Sequence, residues 1–546
     1  MLRHSSRTVI VHSLVRIAMV FILILSVIPW AANPPSALAA SFPYNAQYPH
    51  GLLSVASDQS AANQAIRDAW SSWKSNYVTS SGAGGYRRVV SSTGCGSNDT
   101  VSEAIGYGML LSVYLDDRSL FDDLWRYAKL HFNSNGLMGW CIDGNGNPVG
   151  SVGGNDSASD ADEDMAVALV FAHAKWGSGG AINYNNDGRT LINNMWDHVV
   201  DPQTFHFKNG DWDDGSADIN PSYFAPAWYR IFASFTGNTG WNNVASKSYE
   251  IIGNINRYNN GTGLVPENAR LDGTRGSGSY NYGYNAFRYC WRAATDYLWF
   301  GTSRGRDDCN RHSTFFKNVG VNNIVDGYTI TGTPIGSWRG AAVTSMAAAG
   351  FMTGSDTGTA RTFYNATVST VDGDSWGYFG NSLRLLSMLM MTGNFPNLYT
   401  NDSGGGDNTR NGSWAAKLVT SGNWKSLVQH PTGIAKNTSY VASVWYKGSG
   451  KFHLRVHAGV WGAEIANNNT CTASGSWQKC SVSFNTGNNT QLTFRLTNSN
   501  GGGTTIYFDD IYMGPSGGGN KLANAGFESG NTSWYVESPF SIVQNP

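Results

Sequence analysis

Charge is scarce in this 546-residue sequence: Asp, Glu, Lys and Arg together make up 14%, and the formal net charge is -1. There is no basic run or stripe to neutralise a phosphate backbone, which excludes nucleic acid as a partner. Cysteine is also sparse. The chain has six, none at a spacing that suits tetrahedral zinc, so no metal site is expected from them. Beyond residue 40 no apolar run approaches the roughly 20 residues needed to cross a bilayer. At this length one core does not suffice, so two or more domains are expected.

What the chain does have is aromatic surface and glycine: 20 Trp, 26 Tyr and 65 Gly, with aromatics at 13%. Little charge and many flat rings suit neutral, hydroxyl-rich ligands, whose apolar faces stack on aromatics while their edges take hydrogen bonds. Large aromatic cores would produce the same composition.

The N-terminus reads as an export signal. Arg3, Arg7 and Arg16 precede the apolar run Ile17–Trp30, and Ser36-Ala37-Leu38-Ala39-Ala40 offers an Ala-x-Ala cleavage site. Residues 1–40 are therefore expected to be a signal peptide, and the mature protein to be secreted, with a retained membrane anchor as the alternative. In an exported chain the cysteines can pair. Cys471 with Cys480 is the expected bridge, and Cys95 with Cys141 and Cys290 with Cys309 are sequence-neighbour pairings.

Residues 41–396 carry helical periodicity with Gly- and Asn-rich connections. About twelve helices are predicted, beginning with the face Ala62, Ile66, Ala69, Trp73 and Tyr77, and including Ser102–Leu115, Tyr284–Phe300 and Ser375–Met391. Twelve suits six helical hairpins closed into a ring, with the loops at one end lining a cleft. Residues 397–408 read as a linker around Gly404-Gly405-Gly406. From 409 to 514 period-two alternation takes over, as in Tyr440–Trp445, Phe452–Val456 and Leu492–Leu496, predicting a β-sandwich. Residues 515–546 form a Gly-rich link and a short remainder.

One stretch, Ala158–Trp176, dominates the chemistry. Asp160, Asp162, Glu163 and Asp164 crowd the start of a helix whose remainder is apolar. Acids suit the positive end of a helix dipole, but capping accounts for one or two, not four. A second lone acid, Glu103, stands at the start of the helix Ser102–Leu115. Glycoside hydrolysis needs a protonated carboxyl at the leaving oxygen, and inversion needs a base for water on the opposite face. A neighbouring acid keeps the donor protonated by like-charge repulsion. Glu103 and Asp160 would be such neighbours if both helix starts face one cleft.

The segment Ala158-Ser159-Asp160-Ala161-Asp162 through Trp176 resembles the defining motif of glycoside hydrolase family 8. Val101-Ser102-Glu103 through Gly108 resembles that family's general-acid segment. Asn220–Tyr229, Ile324–Tyr328 and Gly380–Arg384 resemble further family blocks. The likeness covers about residues 42–396 and is nearest to the bacterial endo-β-1,4-glucanases. It implies an (α/α)6 barrel, an open cleft, an inverting mechanism, no cofactor and a polysaccharide substrate acted on by a monomer. It assigns Glu103 as general acid, Asp160 as the carboxylate at the central subsite and Tyr223 beside the attacking water. Arg288 is the arginine of the base segment. Trp140 is a stacking platform, with Trp212, Trp376 and Tyr378 as further platforms.

One position departs from the pattern. The family's base segment reads Tyr-Asp-Ala-x-Arg, whereas this chain has Tyr284-Asn285-Ala286-Phe287-Arg288. An amide can orient water but not deprotonate it. Three readings stay open. One draws a base from the 258–283 loop, as in chitosanase-type branches, with Glu267 and Asp272 as candidates. The second is a weakened catalyst. The third is a chain that holds glucan without cleaving it. The C-terminal region resembles carbohydrate-binding modules of the family 4 and 9 type through Tyr507–Tyr512 and Asn524–Gly530. Those pieces stand in reversed order, so the remainder either opens a truncated second module, which the spacer-like Gly-rich link at Ser516 favours, or folds back as the first module's missing edge. In the fold-back case Glu528 with Asp509 or Asp510 would be placed to share a calcium ion. Trp424, Trp445, Trp461 and Trp477 are candidate glucan contacts there.

Overall fold

The computed structural model describes residues 41–92, 94–373, 377–399, 414–419, 425–474, 477–498, 505–515, 519–527 and 530–544. The segment read as an export signal lies outside them, as do Trp376, Trp424, Glu528 and most of the expected linker.

Twelve α-helices fill the first region among the described residues. They are α1 Gln59–Tyr77, α2 Ser102–Tyr114, α3 Arg118–Leu130, α4 Ser159–Trp176, α5 Tyr184–Val199 and α6 Pro226–Thr236. They continue as α7 Gly240–Ile255, α8 Tyr289–Phe300, α9 Ser303–Val319, α10 Ala341–Gly350, α11 Thr357–Ser369 and α12 Gly377–Met391. The even-numbered helices form an inner ring: α2 packs on α4, α4 on α6, and so on to α12, which closes on α2. This is why α4 is buried along nearly its whole length instead of on one stripe. Alanines 341, 342, 347, 348 and 349 line α10, which is buried throughout and lies close against α12. Outer helices such as α3 keep one buried face and one wet one, with Leu120, Phe121, Leu124 and Ala128 turned inward.

Two helices, which periodicity predicts over Ser222–Phe235 and Tyr284–Phe300, begin later than that. Pro221–Tyr223 is a separate 3-10 turn, and α6 starts afresh with Pro226 in its first turn, where the missing N–H costs nothing. Asn285–Arg288 is likewise a 3-10 turn ahead of α8. That turn puts the Asn285 and Arg288 side chains on one side of the backbone.

The second region is antiparallel β: β1 Trp414–Val419, β2 Ser426–Gln429, β3 Ser439–Ala458, β4 Glu464–Asn468, β5 Thr472–Ser474, β6 Gln478–Asn485, β7 Leu492–Asn498, β8 Thr505–Pro515, β9 Tyr535–Val536 and β10 Phe540–Gln544. The path runs β9-β2-β7-β3-β8-β1-β10, with β4, β5 and β6 also on β3. Tyr440–Trp445 and Phe452–Val456, expected as two strands, are halves of the single strand β3. Gly448 and Gly450, at φ 124° and 118°, let it pass from partners β6 and β8 to partners β4 and β7. A core of Leu454, Val456, Phe494, Leu496, Ile506 and Phe508 fills the interior.

The C-terminal remainder is not a detached fragment of a second module. Tyr535–Val536 pairs with β2, and Phe540–Gln544 pairs with β1. Phe527 and Trp534 join the same core, so burial of those rings holds the segment down. Ile511 N–H donates to Ala525 C=O, which brings the Phe-Asp-Asp and Gly-Phe-Glu segments together in reversed chain order.

Cysteines 95 and 141 are bridged, as are 471 and 480, with Cα separations of 6.3 and 5.9 Å. Cys290 and Cys309 are not bridged: both are buried thiols, and Cys309 Sγ donates to the Cys290 carbonyl.

Candidate active site

Two helix starts and one 3-10 turn meet at an arginine. Glu103 stands in the first turn of α2, whose entry is fixed by a hydrogen bond from Ser102 N–H to the Trp140 carbonyl at 2.9 Å. Asp160 stands in the first turn of α4. That entry is fixed by Ser159, whose N–H donates to Asn209 O and whose hydroxyl donates to Lys208 O. Arg288 is fully buried, and its Nη1 donates to Glu103 Oε2 and to Asp160 Oδ2, both at 2.5 Å. Its Nη2 donates to Ser222 Oγ at 3.0 Å and to Asn285 Oδ1 at 3.2 Å. Tyr223 lies against the guanidinium, with its ring centre 5.2 Å from Cζ.

The two acids differ in what remains open to a ligand. Glu103 takes the Tyr378 hydroxyl on Oε1 and Arg288 on Oε2, and its side chain keeps 16% exposure. Burial raises its pKa above the ordinary carboxylate range. Arg288 and the Tyr378 hydrogen bond oppose that rise, and the Asp160 charge adds to it. Asp160 is only 3% exposed, and its Oδ1 finds no hydrogen-bond partner among the described residues. A buried carboxylate oxygen without a partner among the described residues is an acceptor suited to a ligand hydroxyl.

The other three acids of α4 turn elsewhere. All four are buried rather than solvated. Asp162 accepts the Met138 N–H, while Glu163 and Asp164 each pair with Arg292 at 2.9 Å. Asp164 also takes the Trp228 indole N–H at 2.7 Å. Asp160 and Asp164 are four residues apart, as are Arg288 and Arg292, so one ion-pair layer lies beneath the other. Arg292 went unread in the sequence, although the matching four-residue spacings were its signal. Arg292→Leu leaves two buried carboxylates without their cation. It is expected to cost about 3–5 kcal/mol, read as a lowered thermal transition of the helical domain.

The amide at the base position is oriented by its neighbour. Arg288 Nη2 occupies Asn285 Oδ1, and Arg288 Nε donates to the Asn285 carbonyl. The Nδ2 group can hold a water oxygen by donating to it but cannot take the water's proton. Of the two loop carboxylates, Glu267 reaches this turn: a methyl group added at Gly283 would lie 2.9 Å from its Oε1. Asp272 does not. It is exposed and closes a local turn onto Thr274, and Gly273 beside it packs on the end of α7.

The aromatic candidates separate by exposure. Trp212 is 55% exposed, next to Asp211, which accepts the Ser157 N–H just ahead of α4. Trp140 is half-buried on the strand pair leading into α2, its indole donating to Val152 O. Tyr378 is no platform. It is 2% exposed and its hydroxyl is spent on Glu103, so it holds the acid. Two exposed rings were not singled out in the sequence, Tyr284 at 50% and Trp338 at 44%. Asp326 ties them together, accepting the Tyr284 hydroxyl on Oδ2 and the Trp338 N–H on Oδ1. Sequence alone does not distinguish an exposed ring from a core one.

In the C-terminal domain the calcium suggestion meets only part of its ligand set. Asp509 is buried and accepts the Asp510 N–H, with Gly526 close to its Oδ1. Glu528 lies outside the described residues. Trp461 is exposed, and Trp445 and Trp477 are half-buried.

A closed ring of helices presenting two carboxylates clamped by one arginine, one of them with its pKa raised by burial, defines a carboxylate-dependent glycosidase. More particularly, the chain belongs to the glycosyl hydrolases family 8, whose family model matches residues 40–393. It is 48% identical to Endoglucanase A of Acetivibrio thermocellus over 391 residues, spanning 71% of this chain and 82% of that protein. It is 50% identical to Endoglucanase C of Ruminiclostridium cellulolyticum, spanning 71% and 84%. Among solved structures it resembles the β-1,3-1,4-glucanase from Paenibacillus sp. X4, with TM-score 0.60 and 31% identity over 66% of this chain and 99% of that one.

Proposed function

We propose that this chain is a secreted, endo-acting β-1,4-glucanase that cleaves with inversion, using Glu103 as general acid. The observation that supports the reading is that Glu103 and Asp160 both accept a hydrogen bond from Arg288 Nη1. Glu103 delivers its proton to the glycosidic oxygen as the bond to the anomeric carbon breaks. Asp160 Oδ1 accepts a hydroxyl of the sugar whose ring is being distorted. Water held by the Asn285 amide and Tyr223 attacks the anomeric carbon from the far side and loses its proton to solvent water. The names of the family relatives, endoglucanases at about half identity, support β-glucan as substrate. The solved β-1,3-1,4-glucanase supports mixed-linkage glucan as a second substrate.

Turnover is slow in this reading, because the water's proton has no carboxylate at position 285 to receive it. A second reading draws the base from the 258–283 loop, and the position of Glu267 beside Gly283 favours it. Reducing-sugar release from soluble cellulose, lichenan and chitosan tests both. Glu267→Gln abolishes turnover if Glu267 is the base and leaves it unchanged if Asn285 works alone. Adsorption without release from any of the three would instead make the chain a glucan-binding protein.

A further inference from the structure

The lower ion-pair layer repeats the upper one and adds a carboxyl that takes no part in the proposed cleavage. Arg288 faces Glu103 and Asp160; Arg292, four residues further along, faces Glu163 and Asp164. Asp164 takes the charge of Arg292. Its Oδ1 accepts from Nη1 and its Oδ2 from Nη2, both at 2.9 Å, in a two-point fork, and the Trp228 indole donates to it as well. Glu163 Oε1 lies 2.9 Å from the same Nη1, yet neither Glu163 oxygen receives a hydrogen bond among the described residues. Glu163, Asp164 and Arg292 are all buried.

An ionised carboxyl at Glu163 would be a second negative charge beside a cation already neutralised. No donor replaces the water it has lost, and that is the costly state of a buried acid. A proton removes the cost. Burial pushes the Glu163 pKa well above the ordinary carboxylate range; Arg292 opposes the rise, and the Asp164 and Asp160 charges add to it. Asp162 stands apart, accepting the Met138 N–H. Four carboxyls and two arginines then balance in a water-free interior: Asp160 and Asp164 carry the charges, Glu103 and Glu163 the protons.

The hydroxyl that interacts with Glu163 is that of Tyr229, itself fully buried. Tyr229 donates its own hydrogen to the Tyr223 carbonyl at 3.1 Å, so toward Glu163 it can only accept. A carboxyl that donates to it must be protonated. The Tyr223 carbonyl belongs to the turn Pro221–Tyr223. Ser222 Oγ of that turn accepts from Arg288 Nη2 at 3.0 Å, and the Tyr223 ring lies against the same guanidinium. An ionised Glu163 would draw the Tyr229 hydrogen to itself and leave that carbonyl without it.

The geometry points to Glu163 as a protonated positioning residue: its O–H donates to Tyr229, Tyr229 donates to the Tyr223 carbonyl, and the turn carrying Ser222 and Tyr223 is thereby held against Arg288. Its part in turnover rests on the hydrolase reading; the location of the proton does not.

The first measurement is the infrared difference between the full chain and its Glu163→Gln variant near neutral pH. The expected result is loss of a protonated-carboxyl C=O band; loss of ionised-carboxylate bands instead overturns the proton. The second is kcat on soluble β-glucan. Glu163→Met fills a similar volume with no donor, and Tyr229→Phe removes the hydroxyl. Each is expected to lower kcat about tenfold or more with KM little changed. The double variant is expected to lose no more than either alone, because both break one chain. Glu163→Gln restores a donor for Tyr229 and is expected to recover most of the rate lost in Glu163→Met. Tyr229→Phe serves where Glu163→Met fails to fold. Undiminished kcat in Tyr229→Phe, or Glu163→Gln as slow as Glu163→Met, overturns the positioning role. A parent chain without turnover sinks the hydrolase reading and the positioning role with it, while the infrared difference still decides the proton.

Discussion

Glu103→Gln is expected to lower kcat on soluble β-glucan by about 10²–10⁴-fold, the contribution typical of a positioned general acid. The amide keeps the shape and can still meet Tyr378 and Arg288, so the fold and ground-state binding should persist. What disappears is the proton. A substrate whose leaving group needs no protonation, such as an activated aryl cellobioside, should therefore lose far less. The pH profile gives an independent check. Burial and the Asp160 charge hold the Glu103 proton above the usual carboxylate range. Activity of the native chain should thus extend upward in pH and fall as pH rises through the raised value. Asp160→Asn removes one of the raising charges, so the alkaline limb of whatever activity survives should move to lower pH. A profile that does not respond to Asp160 would separate the two carboxylates.

The second large effect is a gain. Asn285→Asp is expected to raise turnover by about 10²-fold or more. Arg288 Nη2 already occupies one oxygen at this position. A carboxylate there keeps that contact and turns its second oxygen to the water that the amide can only orient. The neighbouring guanidinium favours the ionised form, so the new base should stay charged to low pH. The variant profile should become bell-shaped, with its acid limb set by the new aspartate and its alkaline limb by Glu103. If the rate does not rise, the native chain already has a base, and Glu267 is the residue to replace next.

Several residues gained a role only once neighbours from distant parts of the chain were in view. The crowd of acids at the start of α4 drew attention to the right helix but not to the right acid. One residue in four shares Arg288 with Glu103, while the others pair with Met138, Trp228 and Arg292. Tyr378 read as an open ring and is a buried hydrogen-bond donor. Residues 522–546 read as a truncated module, yet Tyr535–Val536 and Phe540–Gln544 pair with β2 and β1.

What the sequence determined by itself was whatever depends on short range. Periods of 3.6 and 2 mark where the helical part ends and the β part begins. Two acids at helix starts fall in segments that match a family, and an asparagine stands where a base belongs. Only the tertiary structure decided which side chains share a cation, which rings stay in water and which strand the C-terminus joins. Those outcomes depend on contacts between residues tens to hundreds of positions apart, such as Glu103 and Arg288, separated by 185. Local propensity carries no information about such pairs. Their arrangement is set by how a ring of buried helices closes and by which charges its closure leaves together without water.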